Sequence, residues 1–85
     1  MKIKMLTQDN CPKCIVLDEF LDKGLGNEYK DSIEVIHRKK NEKEFVTLVR
    51  KHRIMSTPVL IAGDNVLRDT SAENVVEFLK KHQNE

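Results

Sequence analysis

Eighty-five residues suffice for one domain, spanning 1–85, with a modest core and a stability near the marginal range. A net charge of +1, from 15 basic and 14 acidic side chains, gives no electrostatic reason to expect nucleic acid as a partner. Two cysteines are too few for a disulfide-rich secreted scaffold, and the opening Met1-Lys2-Ile3-Lys4-Met5-Leu6 reads as neither a signal-peptide apolar region nor a membrane span, so a cytoplasmic protein is expected.

In chain order, Ile3, Met5 and Leu6 with interleaved Lys2 and Lys4 read as a short strand. Asn10-Cys11-Pro12-Lys13-Cys14 follows, and then Leu17, Phe20, Leu21 and Leu25 recur at helical spacing. The spacing predicts a helix from Pro12 to Lys23, closed by Gly24-Leu25-Gly26-Asn27, since glycine readily takes the left-handed C-cap conformation. Ser32 to His37, with Ile33, Val35 and Ile36, is β-branched enough to predict a second strand. Asn41 offers an N-cap with Glu44 three residues on, and Phe45, Leu48, Val49 and His52 mark the apolar face of a second helix that stops near Lys51. Val59 to Ala62 is a short apolar strand, Gly63-Asp64-Asn65 is turn chemistry, and Val66-Leu67-Arg68 returns as an edge strand. Thr70 with Glu73 predicts a capping box for a last helix whose buried side carries Val75, Val76, Phe78 and Leu79.

The order βαβαββα carries a topology. Strands joined through a helix run parallel with a right-handed crossover, while the last two form an antiparallel hairpin. The expected fold is an α/β mixed four-stranded sheet with helices on both faces. Functional loops then lie beyond the carboxyl ends of the parallel strands, and Cys11 follows the first of these. His37-Arg38-Lys39-Lys40 follows the second, so it reaches the same end, either as an attractor of acidic partners or as a plain solvated loop. Arg50-Lys51-His52-Arg53 complements a helix dipole, the phenylalanines fill the core, and Tyr29 falls in a polar loop without an assigned role.

Proline at the first helical position makes Cys11 the N-cap and puts Cys14 in the first turn. A sulfur there meets unpaired backbone N–H groups and the positive end of the helix dipole, with Lys13 adding charge, so Cys11 is expected to be a low-pKa nucleophile. Residues three apart on a helix stand about 5–6 Å apart, within disulfide reach, which makes Cys14 the resolving thiol. A zinc site would need two further ligands, whereas His37, His52 and His82 are scattered singly, so no metal or other cofactor is expected. A static disulfide closing so short a loop would stabilise little. Pro58, before an apolar strand, suits either an ordinary strand start or a cis peptide bond in a tight turn.

Cys11-Pro12-Lys13-Cys14 after a strand, Ile54-Met55-Ser56-Thr57-Pro58-Val59-Leu60-Ile61 before a hairpin, and a capped last helix together resemble the thioredoxin superfamily in its small, glutaredoxin-sized form. The resemblance spans essentially the whole chain. It implies a cis Thr57–Pro58 bond packed against the cysteines and a Thr57 backbone that pairs with substrate as an added strand. The implied activity is that of a dithiol–disulfide oxidoreductase, with Cys11, Cys14 and Pro58 at the reacting centre and Pro12, Lys13, Thr57, Asp69 and Thr70 contacting substrate. The expected partners are disulfide-containing proteins and an external reductant, either a thioredoxin-reductase-like flavoenzyme or glutathione, acting on a monomer. Glutaredoxins that bind glutathione tend to carry an aromatic residue between the cysteines, a lysine before them and a glycine pair ahead of the last helix. Here those places hold Lys13, Gln8-Asp9-Asn10 and Leu67-Arg68, which favours the thioredoxin-like branch. The helix start near Asp69 and Thr70 could still receive a carboxylate. An iron–sulfur carrier and a noncatalytic adaptor of the same fold are the alternatives from other classes.

Overall fold

A computed structural model describes residues 3–24 and 29–82. The strands β1 (Ile3–Thr7), β2 (Ile33–His37), β3 (Val59–Ala62) and β4 (Asn65–Leu67) form one sheet in the order β2-β1-β3-β4. The β1 and β2 strands are parallel, with Ile3 opposite Ile33 and Thr7 opposite His37, and both remaining pairings are antiparallel. The helices are α1 (Pro12–Glu19), α2 (Glu42–His52) and α3 (Ala72–His82). The βαβαββα order and the mixed sheet are as the sequence predicts.

Side-chain alternation along the strands sorts the core onto two faces. Ile3, Met5, Leu60 and Ala62 point to one face and pack with Leu17 of α1 and Val75 and Leu79 of α3. Leu6, Ile36, Val59 and Ile61 point to the other, against Phe45 and Leu48 of α2. Each fully buried leucine or isoleucine contributes about 1.5–3 kcal/mol, so two thin layers suffice to seat the helices. Lys4 leaves the sheet on the α2 side and pairs there with Glu44.

Several details depart from the sequence reading. The first helix is α-helical only to Glu19 and continues as a π-helical turn over Phe20–Gly24, within which Phe20 and Leu21 both pack against the core. Gly24 is constrained by contact, since a Cβ there would stand 2.7 Å from the Phe20 ring. The rest of the expected terminator, Leu25-Gly26-Asn27, lies outside the described residues.

The α2 capping box does not form. Asn41 makes no side-chain cap bond because its Oδ1 accepts the His37 N–H at 3.1 Å, and Glu44 is engaged by Lys4. That helix runs one residue past the expected stop and ends through Arg53 in the left-handed region. The last helix begins at Ala72, with the Val75 N–H bonded to the Ser71 carbonyl, so Ser71 and not Thr70 precedes the first helical residue. Strand β4 starts at Asn65, which leaves Gly63 (φ 61°) and Asp64 as the two-residue turn. Tyr29 is buried against Ile3, Leu60 and their neighbours instead of lying in a polar loop.

Candidate functional site

Asn10 turns the chain from β1 into α1 through a left-handed backbone (φ 57°), a conformation asparagine tolerates better than most residues. Cys11 is then extended and caps α1, its Sγ accepting the Cys14 N–H at 3.2 Å, while Pro12 takes the first helical position. The Cys11 carbonyl also receives the Cys14 and Ile15 N–H groups. The two sulfurs are joined as a disulfide across a Cα separation of 5.2 Å. Both cysteines are largely buried, at 9% and 4% exposure, Cys11 the less completely.

The segment before β3 closes over this pair. Thr57–Pro58 is cis, as the resemblance implied, and brings the Thr57 carbonyl oxygen to 3.6 Å from Cys11 Sγ. Thr57 Oγ1 stands 3.3 Å from Cys14 Sγ and 3.5 Å from Cys11 Sγ. Lys13, Thr57, Pro58, Asp69 and Thr70, brought together from three stretches of chain, line one cleft of ≈ 430 Å³ beside the disulfide. Pro12 is exposed next to it but does not line it. Apolar side chains stand open nearby, Met55 almost fully and Ile15 and Val16 by more than half.

The basic loop after β2 belongs to the same end, but three of its four side chains, His37, Arg38 and Lys39, are occupied. His37 Nε2 lies 3.0 Å from Asp9 Oδ1, while His37 Nδ1 accepts the Lys39 and Lys40 N–H groups, which puts the ring proton on Nε2, facing the carboxylate. Lys39 Nζ reaches the other Asp9 oxygen at 3.4 Å. The His37 hydrogen bond, and after it that of Lys39, holds the Asp9 carboxyl below the usual carboxylate range. Arg38 hydrogen bonds Gln8. His52, expected on the apolar stripe, is half-buried with its Nε2 enclosed and unbonded, and Arg68 donates to the His52 carbonyl at 2.8 Å.

Sequence reasoning missed Gln8, whose amide bridges Thr57 and Arg38. The available signal was its place between a strand end and the cysteines, where any polar side chain is near the reacting atoms. Among the described residues, no group of three or more His, Cys, Asp or Glu is placed to hold a metal ion, and no helix is long and apolar enough to cross a membrane.

No protein-family model matches the chain, and no curated protein matches it. Among solved structures it is similar to a crystal structure of a mutant of the thioredoxin-like protein BC3987, at 26% identity and a TM-score of 0.71. The likeness covers 92% of this chain and 99% of that one. With its strand order, its cis Thr57–Pro58 bond and this likeness, the chain has a thioredoxin-like fold.

Proposed function

We propose that the protein is a dithiol–disulfide oxidoreductase that reduces disulfides of protein substrates in the cytoplasm, as a monomeric thioredoxin-like electron donor. The observation that carries this reading is a sulfur used as a helix N-cap, bonded to its neighbour one turn on and facing the Thr57 carbonyl. In the reduced protein, helix N–H groups favour thiolate at Cys11. That thiolate attacks one sulfur of a target disulfide, forming a Cys11–target bond and expelling the other target sulfur as a thiolate. Cys14 then attacks Cys11 Sγ, the Cys11–Cys14 bond closes, and the first target sulfur leaves. The target gains two electrons and, from solvent, two protons, while the cysteine pair is oxidised.

Thr57 supplies main-chain atoms for a substrate strand, which grips many sequences because it reads backbone. Lys13, Asp69 and Thr70 border the cleft that receives the rest of the substrate. The electrons come from NADPH through a flavin reductase of the thioredoxin-reductase class. Glutathione is the second reading, favoured by the cleft itself, which sets Lys13 and Arg68 beside the start of α3.

Parallel assays of insulin reduction, one with NADPH and thioredoxin reductase and one with glutathione, glutathione reductase and NADPH, test both. Turnover in the first is expected, turnover confined to the second reassigns the reductant, and turnover in neither, nor with dithiothreitol as the reductant, contradicts the activity.

A further inference from the structure

Gln8 stands at the end of β1 beside Arg38 because the sheet puts it there. Thr7 pairs with His37, and the Arg38 N–H extends the ladder to the Thr7 carbonyl at 3.0 Å, so the two side chains leave adjacent strands side by side. Arg38 Nη1 donates to Gln8 Oε1 at 3.1 Å, and Gln8 Nε2 donates to Thr57 Oγ1 at 3.0 Å. A guanidinium can only donate, so the amide atom facing it must be the oxygen and the atom facing Thr57 must be the NH₂ group. Thr57 Oγ1 therefore accepts from Gln8, and because neither sulfur of the disulfide carries a hydrogen, the hydroxyl is the only possible donor in its contacts with them, with Cys14 Sγ at 3.3 Å and Cys11 Sγ at 3.5 Å. Arg38, which cannot accept, sets the direction of the whole chain. Cys11 Sγ already receives a backbone N–H, whereas the hydrogen-bond partner found for Cys14 Sγ among the described residues is the Thr57 hydroxyl.

Resting on the oxidoreductase reading, we propose that Gln8, oriented by Arg38, is a positioning residue for the resolving step. It holds the Thr57 hydroxyl as a donor to the Cys14 sulfur and so favours the Cys14 thiolate. In that step Cys14 releases its proton to solvent and its electron pair forms the bond to Cys11 Sγ. The Cys11–target bond breaks, and its electron pair leaves on the target sulfur. Other charged groups surround the pair: Lys13 and Asp18 on α1, Arg68 and Asp69 across the cleft, and the Asp9, His37 and Lys39 cluster. Asp18 shares a hollow of ≈ 200 Å³ with Cys14. All of these are common to the variants compared below, so their effects cancel.

The test is a thiol titration. In reduced Cys11→Ser protein Cys14 is the only thiol, and its ionisation is read from thiolate absorbance against pH. Gln8→Glu keeps the size and the Arg38 contact, but a carboxylate cannot donate, so Thr57 turns its proton to residue 8 and its lone pairs to the sulfur. The midpoint is expected to rise by about one pH unit, a tenfold loss of thiolate at neutral pH. Gln8→Met, neutral and without a donor, raises it less. Thr57→Val removes the hydroxyl at constant shape, and in that background Gln8→Met is expected to move the midpoint no further.

Unchanged midpoints in both Gln8 variants, or a Gln8→Met shift as large without the Thr57 hydroxyl as with it, would overturn the proposal. Circular dichroism confirms that each variant titrated is folded. The titration needs no turnover, so failed insulin reduction removes the oxidoreductase reading and leaves the hydrogen-bond chain, whereas an unmoved midpoint does the reverse.

Discussion

Helices α1 and α2 both begin beyond the carboxyl end of a parallel strand, yet they use their first residues in opposite ways. The start of α1 is capped by Cys11 Sγ, so the atom that satisfies the helix N–H is the atom available for chemistry. The start of α2 has asparagine, a better cap by preference, and leaves the cap unmade. Asn41 turns back to hold the His37 N–H, and the loop it fixes sends His37 to Asp9 and Arg38 to Gln8. One helix start thus carries the sulfur that the proposed reaction uses, and the other braces the loop that holds Gln8 and Asp9 beside it. The lesson is that capping preference yields when the same oxygen meets a competing backbone donor, here four residues back at the end of the preceding strand.

The sharpest way to break this comparison is to exchange the chemistry of the two caps. Cys11→Ser keeps a capping oxygen and is expected to reduce insulin turnover to background, while Cys14→Ser accumulates a mixed disulfide detectable by mass spectrometry. Asn41→Ala keeps turnover. Next in size is the shared foundation of both loops. Leu6 is fully buried beneath α2, and Leu6→Ala is expected to cost about 2–5 kcal/mol in denaturant unfolding.

Asn41→Ala itself loses one bond to a backbone donor and is expected to cost about 1 kcal/mol by the same measurement. The Asp9 pairing is smaller and depends on pH. Its carboxyl is held low, so the stabilisation is present above the ordinary carboxylate range and is lost as pH falls through the lowered value. His37→Ala is expected to return the Asp9 titration, followed by carboxyl NMR, toward the unperturbed value of about 3.9. Smallest is Glu44→Gln, which breaks a part-exposed ion pair with Lys4 and is expected to change stability by less than about 1 kcal/mol, less still at high salt.

Strand and helix order was legible because it rests on periodicity within a few residues: Ile3, Met5 and Leu6, or Phe45 and Leu48, announce their faces locally. The cysteine site was legible for the same reason, since Pro12 fixes a helix start and Cys14 lies one turn on. What escaped the sequence rests on contacts that periodicity does not register, one of them within a single turn and the others far apart along the chain. Asn41 looks like a cap until the turn after β2 brings the His37 N–H, four residues back, to its side chain, and Tyr29 looks solvated until the first core layer closes over it. Gln8 gains its partners from positions 30 and 49 residues away. Ser71 and not Thr70 precedes the last helix, a shift of one residue that periodicity does not resolve.

The central claim is that the Cys11 sulfur, as the cap of α1, is the reactive thiolate of the pair. Alkylation of the reduced protein with iodoacetamide across a pH series, with each cysteine followed by peptide mass mapping, tests it most directly. The account predicts that Cys11 is modified with a midpoint well below the value of about 8.5 of an ordinary thiol, with Cys14 lagging far behind. Equal modification of both cysteines with midpoints near that ordinary value would contradict it.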